Sequence, residues 1–333
     1  MMKIAIITDA WHPQVNGVVR THTHLIKELR QLGHEVRMIT PDLFSNFPCP
    51  TYPEIRLAYN VRGGLKKYLS EFNPDAVHIS TEGPLGIAAR RLCLKQCWPF
   101  TTAYHTRFPE YLKAKAHVPE TLTYYLMRRF HAPSKAVMVP TESMQMVLEK
   151  RGFSNVKQWT RGVDTQLFKP RDKSFLTLPR PIFAYIGRVS VEKNIGAFLD
   201  LQLPGSKLVV GDGPQLKEMQ KKYPQVTFVG SKSGEELAQH YAAADVFVFP
   251  SRTDTFGLVV LEALASGLPV AAYPVTGPRD IIGNSTVGCL DDDLQAAAMK
   301  ALTIDPQTCR AFAEARSWKT CADQFLRNLN PRN

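Results

Sequence analysis

Long hydrophobic runs are missing from this 333-residue chain: nothing approaches the ~18 consecutive apolar residues that a membrane-spanning helix requires. The apolar segment at 4–7 meets Asp9 too soon to form the core of a secretion signal, so a cytoplasmic location is expected. The six cysteines form no CxxC pair, which argues against both a zinc cage and a disulfide framework. Only Cys93 and Cys97 stand close, one helical turn apart, and free thiols are expected throughout. None of the nine histidines belongs to an HExxH, and His22 and His24, two apart, would point to different faces of a helix. No metal site is expected. No strand is followed by GxGxxG, the phosphate-cradling loop of dinucleotide oxidoreductases. An aromatic RNA-binding signature and a helix-turn-helix are both lacking, so nucleic acid is not an expected partner.

What the chain does have is apolar residues, 44% of the total, at a length where a single core stops growing and two domains form. Short apolar runs alternate with longer amphipathic stretches, the pattern of parallel strands covered on both faces by helices. In the first half, strands are expected at 3–8, 35–40, 76–80, 100–104 and 136–140. In the second they are expected at 182–186, 207–210, 226–229, 246–249, 270–272 and 286–290. Residues 18–32 place Val18, Leu25, Leu29 and Leu32 on one helical stripe and stop at Gly33. The pattern fades over 171–180, a Lys-, Asp- and Pro-containing stretch read as an interdomain linker. The expected architecture is α/β, with two Rossmann-like doubly wound domains facing each other across a cleft. In such sheets ligands sit at the carboxyl ends of the strands, so the loops there are where chemistry is sought.

A sugar nucleotide offers a protein three handles: a diphosphate, a ribose diol and a ring of sugar hydroxyls. Each has a counterpart in those loops. Asn16-Gly17-Val18 opens the first helix, where free backbone N–H groups suit an anion and Gly17 permits close approach, although glycines at helix starts are also common for structural reasons. Arg188, just after strand 182–186, and Lys193 supply two cations able to neutralise a leaving diphosphate; ordinary solvated side chains are the competing account. Asp254 and Glu262 stand eight apart, with Phe256-Gly257-Leu258 between them, just after strand 246–249. A helix starting near Gly257 would aim its N–H groups at a ligand, with Glu262 one turn in to accept from a diol and Asp254 ahead of it to reach sugar hydroxyls. Both acids also suit a helix N-terminus on their own, but an acid inside LVVLEALA needs a partner if buried. His105, at the end of strand 100–104, is suited to bond a hydroxyl or move a proton, or is a satisfied structural histidine. Gly211 and Gly213 read as a turn after strand 207–210, and Asp291 to Asp293 as the acidic opening of a helix rather than a metal-binding DxD.

Taken together, these stretches resemble the retaining glycosyltransferases of family 4, which have the two-domain GT-B fold. The resemblance runs through NGV at 16–18, YHTRFPEY at 104–111, RGVDTQLF at 161–168, YIGRVSVEKNI at 185–195, VVGDGP at 209–214 and TDTFGLVVLEALASGLPV at 253–270. It implies that Gly17 packs against the donor diphosphate, that Arg188 and Lys193 grip it, and that His105 lies near the transferred sugar. It further implies that Asp254 and Glu262 are the two acids of the family's E-x7-E motif, Glu262 binding the ribose, and that N–H groups around Phe256, Gly257 and Leu258 hold the donor. Asp254 departs from the usual glutamate by a shorter arm. TDTFG, with WHPQVNGVVRT at 11–21 and FPCPTYPEIRL at 47–57, is similar to a glycolipid-forming subgroup that includes diacylglycerol glucosyl- or glucuronosyltransferases, sulfoquinovosyltransferases and mannosyltransferases. The segment from Ser317-Trp318 resembles the family's last helix, so 317–333 is expected to complete an acceptor-binding domain 1–170, with 180–316 the sugar-nucleotide domain.

The implied reaction moves a hexose-type sugar (glucose, glucuronate or mannose) from a UDP- or GDP-sugar with retention of configuration, without metal or other cofactor. No carboxylate pair is placed as in glycosidases, so front-face attack assisted by the departing phosphate is expected. Of the 41 Lys+Arg and 30 Asp+Glu, 23 and 13 fall within residues 1–170, which concentrates the net charge of +11 in the first half. Two stretches there mix cations with apolar groups: 62–69, and 111–130 with Lys113, Lys115, Tyr124, Tyr125, Arg128 and Arg129. Either stretch alone reads better as an ordinary solvated helix face, but together with the charge split they suit an anionic membrane, each cation near it contributing about 1 kcal/mol. A lipid acceptor such as diacylglycerol and peripheral contact with the inner face of the membrane are therefore expected. A sugar-nucleotide epimerase of the same fold, or a mannosyltransferase with a non-lipid glycan acceptor, is the alternative.

Overall fold

The computed structural model describes residues 1–14, 16–49, 52–105, 109–110, 112–113, 118–254 and 256–332, the side chains of 52–54 excepted. Arg107, Tyr111 and Lys115 lie outside the described residues. Two compact units form: Met1–Thr160 with Trp318–Asn333, and Arg161–Ser317.

In the first unit the strands are β1 (Lys3–Ile7), β2 (Glu35–Ile39), β3 (Asn46–Cys49), β4 (Tyr52–Ala58), β5 (Ala76–Ile79), β6 (Thr101–Ala103), β7 (Val137–Val139) and β8 (Val156–Gln158). Six of them make one parallel sheet in the order β2-β1-β5-β6-β7-β8, while β3 and β4 pair as a separate antiparallel hairpin. The order reverses between β1 and β5, which makes that the switch point of the sheet. The helix Gly17–Gln31 buries Val19, Leu25, Ile26 and Leu29, and the Asn16 side chain caps it by accepting from the N–H groups of Val18 and Val19 at 3.0 Å each. His22 on this helix is fully buried, whereas His24 stacks on Trp318 with ring centroids 4.6 Å apart. Trp318 belongs to the helix Trp318–Asn328, which also sets Phe325 against His78 and Trp159 at 5.0 and 5.1 Å.

The second unit contains β9 (Ile182–Ile186), β10 (Ser206–Val210), β11 (Thr227–Phe228), β12 (Val246–Phe249), β13 (Val270–Ala272) and β14 (Gly288–Leu290), all parallel in the order β11-β10-β9-β12-β13-β14. Here the reversal falls between β9 and β12. Every residue of β9 is buried because helices cover both faces: Ile182, Ala184 and Ile186 join one core with Leu261 and Leu264, and Phe183 and Tyr185 join the other with Phe198 and Ala298. Each large side chain so buried contributes about 1.5–3 kcal/mol. The acidic run at 291–293 serves as a helix opening, with the Asp293 carboxylate accepting from the N–H groups of Gln295 and Ala296 at the start of Leu294–Ala301.

The units meet in the chain at Thr160–Arg161, ahead of the expected linker. Residues 161–180 pack on the second unit because their cations find carboxylates there: Arg171 pairs with Glu235, and Lys173 and Arg180 both reach Asp245, at 2.6 and 3.2 Å. All six cysteines are unbridged. Tight backbone packing joins the loop after β9 to the loop after β10, where a Cβ on Gly211 would stand 1.8 Å from the Gly187 carbonyl oxygen. Gly211→Ala is accordingly expected to cost about 1–3 kcal/mol, the range for overpacking. Urea unfolding measures this, and an unchanged midpoint would contradict the close approach.

Candidate active site

The loops at the reversal point of the second sheet bring one of the expected cations, Lys193, to one of the expected acids, Asp254. Arg188 is exposed just after β9, and Lys193 ends a short 3-10 turn, Val191–Lys193. Lys193 Nζ donates to Asp254 Oδ1 at 2.5 Å, across 61 residues of sequence. Two further bonds tie the same loops: Asn194 Nδ2 donates to the Pro250 carbonyl at 3.1 Å, and Thr253 Oγ1 to the Glu192 carbonyl at 3.2 Å. Tyr185, on β9, donates its hydroxyl to the Arg188 carbonyl at 2.6 Å and so anchors the start of the first loop. Burial raises the Tyr185 phenol well above its ordinary pKa, with Asp254 and Glu192 adding to the shift, so the hydroxyl stays a donor. The other oxygen of Asp254, Oδ2, is buried and has no hydrogen-bond partner among the described residues, which leaves an acceptor for a ligand hydroxyl.

The helix Leu258–Ala265 begins just beyond. Gly257 holds φ at +90°, a backbone conformation that a side chain would strain, and among the described residues no side chain caps the helix start, so its first N–H groups are suited to a ligand. Glu262 is only 6% exposed and accepts from the Tyr241 hydroxyl at 3.0 Å. Tyr241 is itself pinned edge-on by Phe168 at 5.5 Å. Phe256 packs against the core, and the loop carrying it rests on Gly277, where a Cβ would come within 2.8 Å of the Phe256 carbonyl oxygen and 3.0 Å of that of Asp254. Asn194, Tyr185, Tyr241 and Gly277 were not singled out by sequence. A tyrosine within HYAAAD signalled a buried hydroxyl in want of a partner, but not which one.

In the first unit, Gly17 starts its helix with open space where a Cβ would stand. Asp9, after β1, is buried at the start of the helix Pro84–Lys95 and accepts from Thr81 Oγ1 at 2.8 Å, Leu85 N at 2.9 Å and Gly86 N at 3.2 Å. Burial raises the pKa of its carboxyl despite those bonds. His105, half-buried after β6, contacts Ser80 Oγ through Nε2 at 2.9 Å. Among the described residues no three His, Cys, Asp or Glu side chains converge as metal ligands would, and no helix is long and apolar enough to cross a membrane.

The two basic stretches differ. On the helix Arg62–Phe72, Leu65, Leu69 and Phe72 turn inward and leave Lys66 and Lys67 exposed, an ordinary solvated face. On the helix Glu120–His131 the apolar residues face outward as well: Leu122, Tyr125 and Leu126 are about half exposed, beside exposed Arg128 and Arg129. Tyr124 departs from the expected face, because its hydroxyl turns in to Glu110 at 2.7 Å beneath Arg151.

Comparison with known proteins agrees with this geometry. The family model Glycosyltransferase Family 4 matches residues 15–167, and Glycosyl transferases group 1 matches residues 180–305. The chain is 32% identical to the GDP-mannose-dependent alpha-mannosyltransferase of Mycobacterium tuberculosis, over 98% of this chain and 95% of that one. It is 27% identical to the alpha-monoglucosyldiacylglycerol synthase of Streptococcus pneumoniae, over 99% of this chain and 85% of the relative. Among solved structures, sucrose-phosphate synthase from Thermosynechococcus elongatus superposes with a TM-score of 0.80 at 24% identity, covering 98% of both chains. Sequence motifs, the two doubly wound sheets and these relatives converge, and the chain belongs to the family 4, group 1 glycosyltransferases with the GT-B fold.

Proposed function

We propose that the protein transfers a hexose from a nucleoside-diphosphate sugar to a membrane lipid such as diacylglycerol, with retention of anomeric configuration. The observation that carries the donor side is the Lys193–Asp254 pair joining the two loops at the β9/β12 reversal, next to the helix start at Gly257. Arg188 and Lys193 take the charge of the departing diphosphate, so no metal or other cofactor is invoked. N–H groups at Phe256, Gly257 and Leu258 hold the donor, Glu262 accepts from the ribose diol, and Asp254 Oδ2 accepts from a sugar hydroxyl. Gly17 lets the diphosphate lie close to the backbone, and His105 meets the transferred sugar. The anomeric C–O bond to phosphate breaks as the acceptor oxygen attacks the same face, and its proton passes to the departing phosphate oxygen.

The lipid acceptor is supported by the relative whose name specifies a glucosyldiacylglycerol and by the outward apolar and basic residues of Glu120–His131. The 32% identity to a GDP-mannose-dependent enzyme favours mannose as the first sugar to try. Incubation with GDP-mannose, UDP-glucose or UDP-glucuronate plus diacylglycerol should yield one glycolipid by mass spectrometry, its α-anomeric signal reporting retention. Nucleotide release that needs no acceptor would point to an epimerase or hydrolase instead.

The same face predicts peripheral binding at the inner leaflet. The protein is expected to co-sediment with phosphatidylglycerol vesicles at low salt and to be released as salt rises. A Leu122→Ser, Tyr125→Ser, Leu126→Ser variant should bind at least tenfold more weakly. Equal binding of the variant, or none by the wild type, would refute the docking face.

A further inference from the structure

The motif RGVDTQLF at 161–168 ends in a tight turn of chain. Asp164 Oδ1 accepts from the N–H groups of Gln166 and Leu167 at 3.0 Å each, and the Asp164 carbonyl accepts from Phe168 N at 2.9 Å. The helix Leu258–Ala265 also closes tightly. Gly267, at a φ of +80°, lets the N–H groups of Ser266, Gly267 and Leu268 return to the carbonyls of Glu262, Leu264 and Ala263. The remaining carbonyl of that last turn, Ala265 O, accepts from Arg310 Nη1 at 2.9 Å. The same Nη1 donates to Phe168 O at 2.8 Å, and Nη2 donates to Thr165 O at 3.0 Å. Arg310 thus stitches the turn 164–168 to the end of the helix.

A guanidinium suits this task because its donors stand in one rigid plane and reach several carbonyls at once, which a lysine ammonium does not. Its fourth contact, to Glu314 at 2.7 Å, is an exposed pair of small weight. Arg310 is not what docks its own helix, Pro306–Glu314, since Cys309 and Ala313 already bury that helix in the core with Leu261 and Leu264. The two segments that it ties lead to one carboxylate. The helix carries Glu262 one turn ahead of Ala265, and the Phe168 ring pins Tyr241, which donates to Glu262. We infer that Arg310 is a positioning residue of the donor site: it holds the turn 164–168 and the helix Leu258–Ala265 in one register, and through them the Tyr241–Glu262 bond that aims the carboxylate at the nucleotide. The effect on nucleotide binding rests on the reading of Glu262 as the ribose contact; the clamp on the helix does not.

Titration calorimetry with UDP and GDP, on the full chain, tests the inference as a double-mutant cycle. Arg310→Met keeps an apolar stem without donors and should weaken the preferred nucleotide about 3–30-fold, as residues that act on a site without touching its ligand do. Its kcat at saturating donor should stay within about twofold, because the lost contact serves the nucleotide and not the bond that breaks. In a Glu262→Ala background the same change should move Kd by less than about twofold, since its route to the ligand is already gone. Arg310→Lys, with the charge but not the fork, should fall between wild type and Arg310→Met, and it carries the cycle if Arg310→Met does not fold. An equal loss in both backgrounds marks a general structural effect and overturns the inference. So does an unchanged Kd in Arg310→Met beside a weakened Glu262→Ala. Hydrogen exchange reads the clamp separately: amides at 258–268 should exchange faster in the Arg310 variants while those of β9 do not, and unchanged exchange there removes the clamp. Wild-type affinity in Glu262→Ala, with exchange still quickened by the Arg310 change, would instead refute the ribose contact and leave the clamp standing.

Discussion

Lys193→Ala is expected to lower kcat by about 10²–10³-fold, corresponding to roughly 2.7–4 kcal/mol of lost transition-state stabilisation, the range for removing one preorganised donor to developing charge. In the reaction proposed here, negative charge grows on the diphosphate as the anomeric bond breaks, and Lys193 and Arg188 are the cations at the end of β9 placed to meet it. The Lys193–Asp254 pair is partly exposed, so its own contribution to folding is on the order of 0–1 kcal/mol. Thermal unfolding of the variant should therefore be almost unchanged, which separates catalysis from folding. Arg188→Ala should act similarly, and the double variant should lose less than the product of the two because the groups share one charge. Steady-state kinetics at saturating donor decide the matter: a loss below about threefold in both single variants would remove the charge-stabilising role.

Glu262→Ala is expected to weaken binding of the free nucleoside diphosphate by tenfold or more. A hydrogen bond to a charged group contributes about 1.5–3 kcal/mol, and each 1.4 kcal/mol is a factor of ten in Kd. Removing the carboxylate costs more than the ligand contact, because the Tyr241 hydroxyl loses its acceptor in a buried site. Two comparisons separate these effects. Glu262→Gln keeps an acceptor for Tyr241 and should lose affinity by less than Glu262→Ala. Tyr241→Phe takes a donor from the buried Glu262 carboxylate and should cost about 1–3 kcal/mol of stability and a few-fold in affinity. Titration calorimetry with UDP and GDP reads all three, and an unchanged Kd in Glu262→Ala would exclude a ribose contact.

The parts of the fold legible in sequence were those whose burial is symmetric. Strands 182–186, 246–249 and 270–272 lie inside a sheet covered on both faces, so they read as unbroken apolar runs with their bounds intact. The strand β8 escaped notice because Lys157 and Gln158 are exposed and leave no apolar run. The β3/β4 hairpin was hidden by Pro48 and Pro53, which read as breakers. The candidate site divides in the same way. Asp254, Gly257 and Glu262 are neighbours along one loop and helix, so their spacing is written locally. Lys193 with Asp254, Tyr241 with Glu262, and His22 with Ser80 are 61, 21 and 58 residues apart, and only the parallel sheet order brings each pair together. The stretch 171–180 misled for that reason: a run of charges resembles a solvated tether until Glu235 and Asp245 arrive beside it.

The return of residues 318–328 to the first unit sets an order of assembly during synthesis. The second unit, although later in sequence, is the first whose residues have all been made. The first unit waits for the chain beyond Ser317, since Phe325, fully buried, supplies the wall against His78 and Trp159, and Trp318 closes over His24. A nascent chain released or clipped before Trp318 would thus carry the whole of the second sheet but an open seam beside His78 and Trp159 in the first.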